Sequence, residues 1–480
     1  MRLSEIIGAG RLPAGSTDPA ISGLALDSRK VRAGELFFAV PGTHADGLAF
    51  AARAVAAGAA AVIAEKEPAE PLGAPLIRVA DVRAELAKAA ARFHPGQPGT
   101  IVAVTGTAGK TSVAEFSRQI FAGCGRSAAS LGTLGIVKPE GAVYGSLTTP
   151  DPVALHRTLE ALAGEGITHL AMEASSHGLE QKRLDGVRLA AAAFTNLGRD
   201  HLDYHPDMEA YFRAKMRLFG ELLPSDRRVV VNADGAMADR VIAEFATGAR
   251  GLTVGRRGKD IRLLGVERSG FVQLLDLEAF GKRARVTLRL AGEFQVENAL
   301  TAAGLAIAVG EKADAVIASL PSLKGVPGRL ELAGEARGGL VFVDYSHKPD
   351  ALANAISALR PFTSGKLTVV FGCGGDRDPG KRPIMGKIAV ELADLTIVTD
   401  DNPRSEDPAA IRRAVLDGAR GAVEIGDRAE AIRAAVRRMG KGDVVLVAGK
   451  GHETGQIIGT RTLPFSDQDE VVAAIGELAA

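Results

Sequence analysis

The run Thr105-Gly106-Thr107-Ala108-Gly109-Lys110-Thr111-Ser112 joins a glycine-rich turn to a lysine and a hydroxyl. Backbone N–H groups in such a turn, at the start of a helix, cradle phosphate oxygens. Lys110 would neutralise charge on the terminal phosphates, and the Thr111 hydroxyl would ligate magnesium. That chemistry needs a strand before the turn and a helix after it. Thr100 to Thr105 reads as a buried strand and Ser112 to Phe121 as a helix, so the context is right. The general phosphate-loop pattern has glycine at the position of Val104, which weakens an ordinary kinase or GTPase reading.

Two more apolar runs end in polar clusters. Glu173 closes HLAME ahead of Ala174-Ser175-Ser176-His177-Gly178, where an acid is well placed to hold magnesium. AAAFTNL runs into Gly198-Arg199-Asp200-His201-Leu202-Asp203-Tyr204-His205. The His201/His205 spacing admits zinc on a helix face, but no cysteine is near and no glutamate follows the first histidine. His201 fits better as a magnesium ligand beside Glu173 and Thr111. In the last third, VDYSHKPD from Val343, GCGGDRD from Gly372, DNPR from Asp401 and GKGHE from Gly449 each follow a buried-strand run. Four decorated strand ends argue for one shared pocket. Arg377, Arg404 and Glu453 together suit a zwitterion, since arginine forks match carboxylates. The turn at Gly372 is not GxGxxG, so a nicotinamide cofactor is poorly supported.

The elements that must position these groups alternate strand and helix. This predicts an α/β protein with mostly parallel sheets, whose ligands sit beyond the carboxyl ends of the strands. A stretch near 261–290 alternates apolar and polar residues and predicts antiparallel strands. The 480 residues suggest two to four domains at ~100–200 residues each. Gly/Pro stretches at His94–Gly99 and Lys324–Arg329 place the cuts, giving segments 1–98, 99–328 and 329–480. With 58 basic and 57 acidic residues, a broad nucleic-acid surface is not expected. Cys124 and Cys373 make neither a disulfide framework nor a zinc site. The start, MRLSEIIGAG, lacks the pattern of a signal peptide, and no apolar run reaches bilayer length. A cytoplasmic protein without membrane insertion is expected.

The ordered set TGTAGKT, TTPD (Thr148 to Asp151), MEASSHGL, TNLGRDHLDYH, YFRAK ending at Lys215, GRLE (Gly328 to Glu331), VDYSHKPDAL, GCGGDRD, DNPR and GKGHE resembles the Mur ligase family. The resemblance spans nearly the whole chain. It implies a UDP-binding domain, a central ATPase domain and a C-terminal Rossmann-like domain. It also implies amide ligation in peptidoglycan precursor synthesis: ATP phosphorylates the D-Glu carboxylate of UDP-N-acetylmuramoyl-L-alanyl-D-glutamate, and the amine of meso-diaminopimelate displaces phosphate. The cofactors implied are ATP and Mg2+, and the enzyme implied is a monomer.

By resemblance, Gly106, Thr107, Ala108, Gly109, Lys110, Thr111 and Ser112 bind ATP phosphates, and Asn298, Arg329, Asp344 and His347 contact the nucleotide. Thr111, Glu173 and His201 look like the magnesium set, with Lys215 carbamylated to support a second magnesium. Lys110, Glu173, His201 and Lys215 are thus the implied catalytic group. Leu26, Ser28, Thr43, His44 and Ala45 match the UDP-sugar site. Thr148, Thr149, Ser175, Gln181 and Arg183 match the muramoyl-dipeptide site. Arg377, Asp401, Asn402, Pro403, Arg404, Gly449 and Glu453 match the diaminopimelate site. The DNPR form resembles the diaminopimelate-selecting rather than the L-lysine-adding type. Three positions depart from the family pattern: Ala108 and Gln295 stand where asparagine is usual, and Lys348 where threonine is frequent. A folylpolyglutamate synthetase would share the phosphate loop, but DNPR with GKGHE argues against it. A nucleotide-binding switch without ligase activity is the rival from outside the enzymes.

Overall fold

The structure is a computed structural model that describes residues 1–12, 15–42, 46–143, 147–202, 204–269 and 271–479. The chain divides into two compact units. One holds Met1–Arg262 with Ala279–Gly281 and Leu300–Ile317; the other holds Leu263–Glu278, Lys282–Ala299 and Ala318–Ala480.

The first unit begins with four parallel strands, Gly23–Ala25, Glu35–Phe38, Ala61–Ala64 and Leu76–Arg78, paired in chain order. Leu36, Phe38, Ala61 and Ile63 pack on one face with helix Val82–Phe93; Phe37, Val62 and Ala64 pack on the other with helix Ala51–Ala56. Side chains alternate faces along a strand, so a sheet covered on both sides must be apolar throughout. The first strand stops at Ala25, because Asp27-Ser28-Arg29 turns there: Asp27 Oδ1 accepts from the Arg29 N–H at 3.0 Å.

A second sheet of this unit carries the chemistry. Its strands lie side by side in the order Gly251–Gly255, Arg228–Asn232, Leu189–Phe194, Thr100–Thr105, His169–Glu173 and Ala128–Gly132, all parallel. Gly135–Lys138 and Gly141–Val143 extend it antiparallel. Thr100–Thr105 is the switch point, with later strands added on both sides of it, and ligands of such sheets bind at that place. The helix read as Ser112 to Phe121 runs from Lys110 to Gly123 and buries Val113, Phe116, Ile120 and Phe121.

The second unit contains strands Val272–Ala279 and Lys282–Leu288 beside Ile261–Ser269. Burial alternates residue by residue along Val272–Ala279, as the sequence pattern predicts. Its larger sheet has the order Glu331–Ala336, Gly339–Asp344, Val444–Ala448, Leu367–Phe371, Leu395–Val398 and Val423–Glu424. All neighbours are parallel except the first pair. Helices Pro349–Leu359, Lys381–Leu392 and Pro408–Leu416 cover one face, and Arg428–Arg438 and Asp467–Ala479 the other. Val444–Ala448 comes late in the chain yet lies between two earlier strands, a second switch point. Among the described residues no helix is long and apolar enough to cross a membrane.

Candidate active site

The phosphate loop is built by close approach. Gly106 has φ +153°, and a Cβ there would stand 1.9 Å from Thr195 Oγ1. The neighbouring strand end holds the loop: the Asn196 carbonyl accepts from the Thr107 N–H at 2.9 Å, Asn196 Oδ1 from the Ala108 N–H at 3.0 Å, and Thr195 Oγ1 donates to the Ala108 carbonyl at 2.7 Å. The alanine at 108 therefore forfeits no main-chain support. Lys110 Nζ donates to the carbonyls of Gly106 at 2.9 Å and Thr107 at 3.0 Å, so its charge caps the loop.

Lys215 lies under the same loop. It is 1 % exposed, and its Nζ donates to the Gly106 carbonyl at 2.8 Å and stands 4.4 Å from the Tyr211 ring centre. Burial pushes its amine well below the usual lysine range; the nearby Lys110 charge acts in the same direction and Asp200 against it. Tyr211, pushed up to about 12 by burial, shares a 3.1 Å hydrogen bond with Thr107 Oγ1.

Glu173 is buried at the end of its strand. Its Oε1 accepts from the Thr133 N–H at 2.7 Å, and its Oε2 from Thr133 Oγ1 at 3.3 Å. Thr111 and Glu173 line one small cavity with Ser130 and Gly132. Two hard oxygen donors suit Mg2+, which takes few protein ligands and keeps several waters. Among the described residues no group of three or more His, Cys, Asp and Glu could hold a metal ion. His201, at φ +55°, packs on His177 at 4.9 Å and Tyr211 at 6.1 Å between ring centres. His205 lies in a turn, not on a helix face, with Nδ1 3.1 Å from Glu180 Oε2.

The residues matched to the dipeptide site form one connected set beside Glu173. Thr148 Oγ1 lies 3.2 Å from Thr133 Oγ1, and Thr149 Oγ1 donates to the Glu173 carbonyl at 3.1 Å. Ser175 Oγ donates to Thr149 Oγ1 at 3.1 Å, and Arg183 Nη1 to the Thr149 carbonyl at 2.7 Å. Arg183 Nη2 donates to Gln181 Oε1 at 2.6 Å, and Gln181 Nε2 to the Tyr204 hydroxyl at 3.1 Å. Just past the first strand of the four-stranded sheet, Leu26 is exposed and Ser28 Oγ accepts from Arg53 Nη2 at 2.6 Å. Thr43, His44 and Ala45 lie outside the described residues.

The second unit gathers the remaining residues at the ends of adjacent strands. Asp344 Oδ2 accepts from the Leu330 N–H at 2.7 Å, and burial raises its carboxyl. The Arg329 guanidinium lies 5.2 Å from the Tyr345 ring centre, and that ring meets His347 edge-on and His452 at a tilt. His347 Nδ1 donates to the Tyr345 carbonyl at 2.9 Å, and burial lowers its pKa, which favours the neutral imidazole. Gln295 ties two of these residues together: its Nε2 donates to the Arg329 carbonyl at 3.1 Å, and its Oε1 accepts from Asn298 Nδ2 at 3.1 Å.

At the neighbouring strand ends, Asn402 Nδ2 donates to Glu453 Oε2 at 2.8 Å and the buried Lys450 Nζ donates to Asn402 Oδ1 at 3.1 Å. Asp401 and Pro403 are buried, and a Cβ on Gly449 would stand 2.6 Å from Asp401 Oδ2. Arg404, at φ +54°, donates from Nη1 to the Gly375 carbonyl at 2.8 Å, while Arg377 is exposed.

Family models match along this architecture: the Mur ligase family catalytic domain over residues 20–94, the middle domain over 104–306 and the glutamate ligase domain over 328–451. The chain is 56% identical over 490 residues to the UDP-N-acetylmuramoyl-L-alanyl-D-glutamate–2,6-diaminopimelate ligase of Bradyrhizobium diazoefficiens, covering 100% of each chain. The chain belongs to the Mur ligase family. The ligase of the same name from Chelativorans sp. is also 56% identical, over 96% of each chain. A solved structure of a ligase with that name superposes with a TM-score of 0.73 at 35% identity, covering 100% of this chain and 99% of that one. The MurF ligase from Thermotoga maritima in complex with ADP, at 22% identity, shares the fold with a TM-score of 0.63 over 95% of this chain and 97% of that one. The three-domain α/β architecture is that of Mur ligases.

Several supporting residues carry no signal that a Mur ligase motif would single out. Thr133 sits in a Gly-Thr turn after a strand, and Arg428 and Asp467 belong to helix starts far apart in sequence. Asn196, Tyr211 and Lys450 lie inside motifs, but their roles as clamps emerge only from the contacts.

Proposed function

We propose that the chain performs the ligation for which its relatives are named. It joins meso-diaminopimelate to UDP-N-acetylmuramoyl-L-alanyl-D-glutamate at the expense of ATP. The observation that carries this reading is the 56% identity over the full length of the Bradyrhizobium ligase. The segments 1–98, 99–328 and 329–480 serve the nucleotide-sugar, the ATP and the incoming amino acid in turn, a division supported by the spans of the three family models.

Carboxylate and ATP are both anionic, so the first step needs positive charge between them. Lys110 supplies it at the phosphate loop, with Asn298, Arg329, Asp344 and His347 assigned to the rest of the nucleotide. Thr111 and Glu173 would hold Mg2+, with His201 as the third proposed ligand; such an ion would screen the phosphates and orient the transferred group. Thr148, Thr149, Ser175, Gln181 and Arg183 place the D-Glu carboxylate, whose oxygen attacks the terminal phosphorus as ADP leaves. The amine nitrogen then attacks the acyl carbon, a tetrahedral intermediate forms, and phosphate departs with the C–O bond. Asp401, Asn402, Arg404, Gly449 and Glu453 hold the amino acid for that attack, and alignment of amine and acyl carbon is worth much of the barrier.

Carbamylation of Lys215 belongs to this proposal. Burial that lowers the Lys215 pKa favours the neutral amine that CO2 requires, and the carbamate would bring an anion to the phosphate loop. We place the enzyme in the cytoplasm as a monomer.

The test is phosphate release from ATP with the UDP-dipeptide, adding meso-diaminopimelate or L-lysine in turn and weighing the product. Diaminopimelate-dependent release with a tripeptide mass supports the reading. Release with lysine alone would identify an L-lysine-adding ligase. ATP hydrolysis without dipeptide dependence would favour a nucleotide-binding switch.

A further inference from the structure

We propose that Lys182 is a positioning residue: by pairing with Asp81 it sets the distance between the elements that hold the two ends of the UDP-linked dipeptide. The inference rests on the ligase reading above. Lys182 lies between Gln181 and Arg183, and its backbone is left-handed, at φ +57°. That region is disfavoured for a residue with a Cβ and easy for glycine. What the lysine does there is visible at the tip of its side chain. Nζ reaches Asp81 Oδ2 at 2.6 Å, while Asp81 Oδ1 caps helix Val82–Phe93 by accepting from the Ala84 N–H at 2.9 Å.

The left-handed turn lets the flanking side chains meet. Arg183 Nε and Nη2 both donate to Gln181 Oε1, at 3.1 Å and 2.6 Å. The other side of the turn is anchored separately. Arg217, the last residue of helix Met208–Arg217, grips both Asp185 oxygens at 2.7 Å and 2.8 Å and donates to the Leu179 carbonyl at 2.9 Å. The Gln181–Arg183 pair thus hangs between the helix that carries Lys215 and the helix that Asp81 caps.

The second anchor matters for substrate. Helix Val82–Phe93 packs on the sheet whose first strand leads into Leu26 and Ser28, the proposed nucleotide-sugar residues. Gln181 and Arg183 are the proposed dipeptide residues. One ligand must span both; Gly186 packs on Ala91 and accepts from Gln97 Nε2 at 2.9 Å farther along, and the ion pair is the charged link at the Gln181–Arg183 end, where it adjusts the span. Lys182 and Asp81 keep about a third of their side-chain surface exposed, at 31% and 37%. A pair so exposed adds little stability, and its loss should appear in the fit of the long substrate rather than in folding.

The experiment measures KM for the UDP-dipeptide, KM for ATP, kcat and Tm in the full-length enzyme, for wild type, Asp81→Asn, Lys182→Met, Lys182→Gly and Lys182→Arg. The inference expects the UDP-dipeptide KM to rise about three- to fivefold in Asp81→Asn, Lys182→Met and Lys182→Gly. Lys182→Gly separates the pair from the backbone, since it favours the left-handed turn while removing the side chain and its charge, whereas Lys182→Met keeps the stem and removes the charge. ATP KM, kcat and Tm should hold in all of them, and Lys182→Arg should restore the wild-type value. Added salt should raise the wild-type KM toward that of Lys182→Met. An unchanged UDP-dipeptide KM in Lys182→Met and Lys182→Gly would overturn the inference. So would a joint loss of Tm and of both KM values, the mark of a merely structural lysine. Wild type that makes no tripeptide at all would instead overturn the ligase reading beneath it.

Discussion

Glu173 Oε1 occupies the place where a side chain on Gly132 would begin, 2.1 Å from an ideal Cβ at that residue. Two adjacent parallel strands, Ala128–Gly132 and His169–Glu173, are thereby fitted to each other at their carboxyl ends, and Thr133 N–H completes the seat at 2.7 Å. The proposed magnesium-holding carboxylate owes its direction to a missing methyl group.

Gly132→Ala therefore tests Glu173 without touching it. The added methyl forces the carboxylate away from Thr133, and a shift of about 1 Å at such a site costs on the order of 10²-fold in rate. We expect kcat to fall by roughly that factor, with a stability loss of about 1–3 kcal/mol from overpacking. Steady-state kinetics with urea denaturation separates the two. Wild-type kcat in Gly132→Ala would show that the seat is irrelevant to catalysis.

Lys215 makes a prediction with a sign. Its native pKa is depressed by burial, with Lys110 adding to the effect, whereas in the unfolded chain it titrates near the ordinary ~10.4. Between those values the unfolded state binds the extra proton, so this group's contribution to stability rises with pH across the window. At neutral pH the amine is a net cost to folding. Lys215→Met should accordingly raise the unfolding midpoint at pH 7 in CO2-free buffer, and its advantage should shrink as pH approaches ~10. The same variant should lose ligase activity. Denaturation at three pH values in degassed buffer checks the first part; bicarbonate stimulation of wild type alone checks the second. A destabilised Lys215→Met at pH 7 would contradict the burial argument.

The parts of this site that announce themselves in sequence are those where polar residues break an apolar run. Thr105 into Gly106, Glu173 into Ser175, Asp344 into His347 and Ala448 into Glu453 all do so, on the two switch-point strands and the strands beside them. Strand cores were legible for the same reason, since helices cover both faces and leave no polar alternation. Short edge strands such as Leu76–Arg78 and Gly141–Val143 were not, because a partly exposed edge needs no apolar run. Nor was the Gln295 bridge from Asn298 to Arg329, which depends on residues more than thirty positions apart meeting in space.

Arg428 and Asp467 were illegible by the same logic, and they make a firm stability prediction. The pair is wholly buried and bidentate, with Nε and Nη2 each 2.7 Å from a carboxylate oxygen. Burial opposes the charge, but Asp467, with Asp401 and Glu453 adding to it, more than offsets burial and the guanidinium pKa is raised. Arg428 Nη2 also donates to the Ala448 carbonyl at 3.0 Å, at the strand end that opens GKGHE. Arg428→Met leaves Asp467 buried and alone, and such a change costs about 3–5 kcal/mol. The double variant Arg428→Met/Asp467→Leu should recover much of that loss. Chemical denaturation measures both; equal stability of the two variants would show that the stranded carboxylate is not the source of the cost.

Arg404 decides the amino-acid specificity in our reading, and its geometry says how. Its N–H donates to the Ile457 carbonyl at 3.0 Å and its carbonyl accepts from the Gly459 N–H at 2.7 Å, so the left-handed backbone is fixed from the hairpin Gly455–Ile458/Arg461–Pro464. Nη1 is held by the Gly375 carbonyl, while the Nε–Nη2 edge makes no hydrogen bond among the described residues. That edge is the planar fork a carboxylate takes up, and lysine offers no second carboxylate to it. Losing a charged hydrogen-bonding partner of this kind costs about 1.5–3 kcal/mol. Arg404→Ala should therefore lower kcat/KM for meso-diaminopimelate by about 10–100-fold and leave the value for L-lysine nearly unchanged. Arg404→Lys should behave like the alanine variant, because an ammonium cannot form the fork. Competition between the two amino acids, read by product mass, gives the ratio directly. An unaltered ratio in Arg404→Ala would move the specificity elsewhere in the pocket, with Arg377 as the next arginine to test.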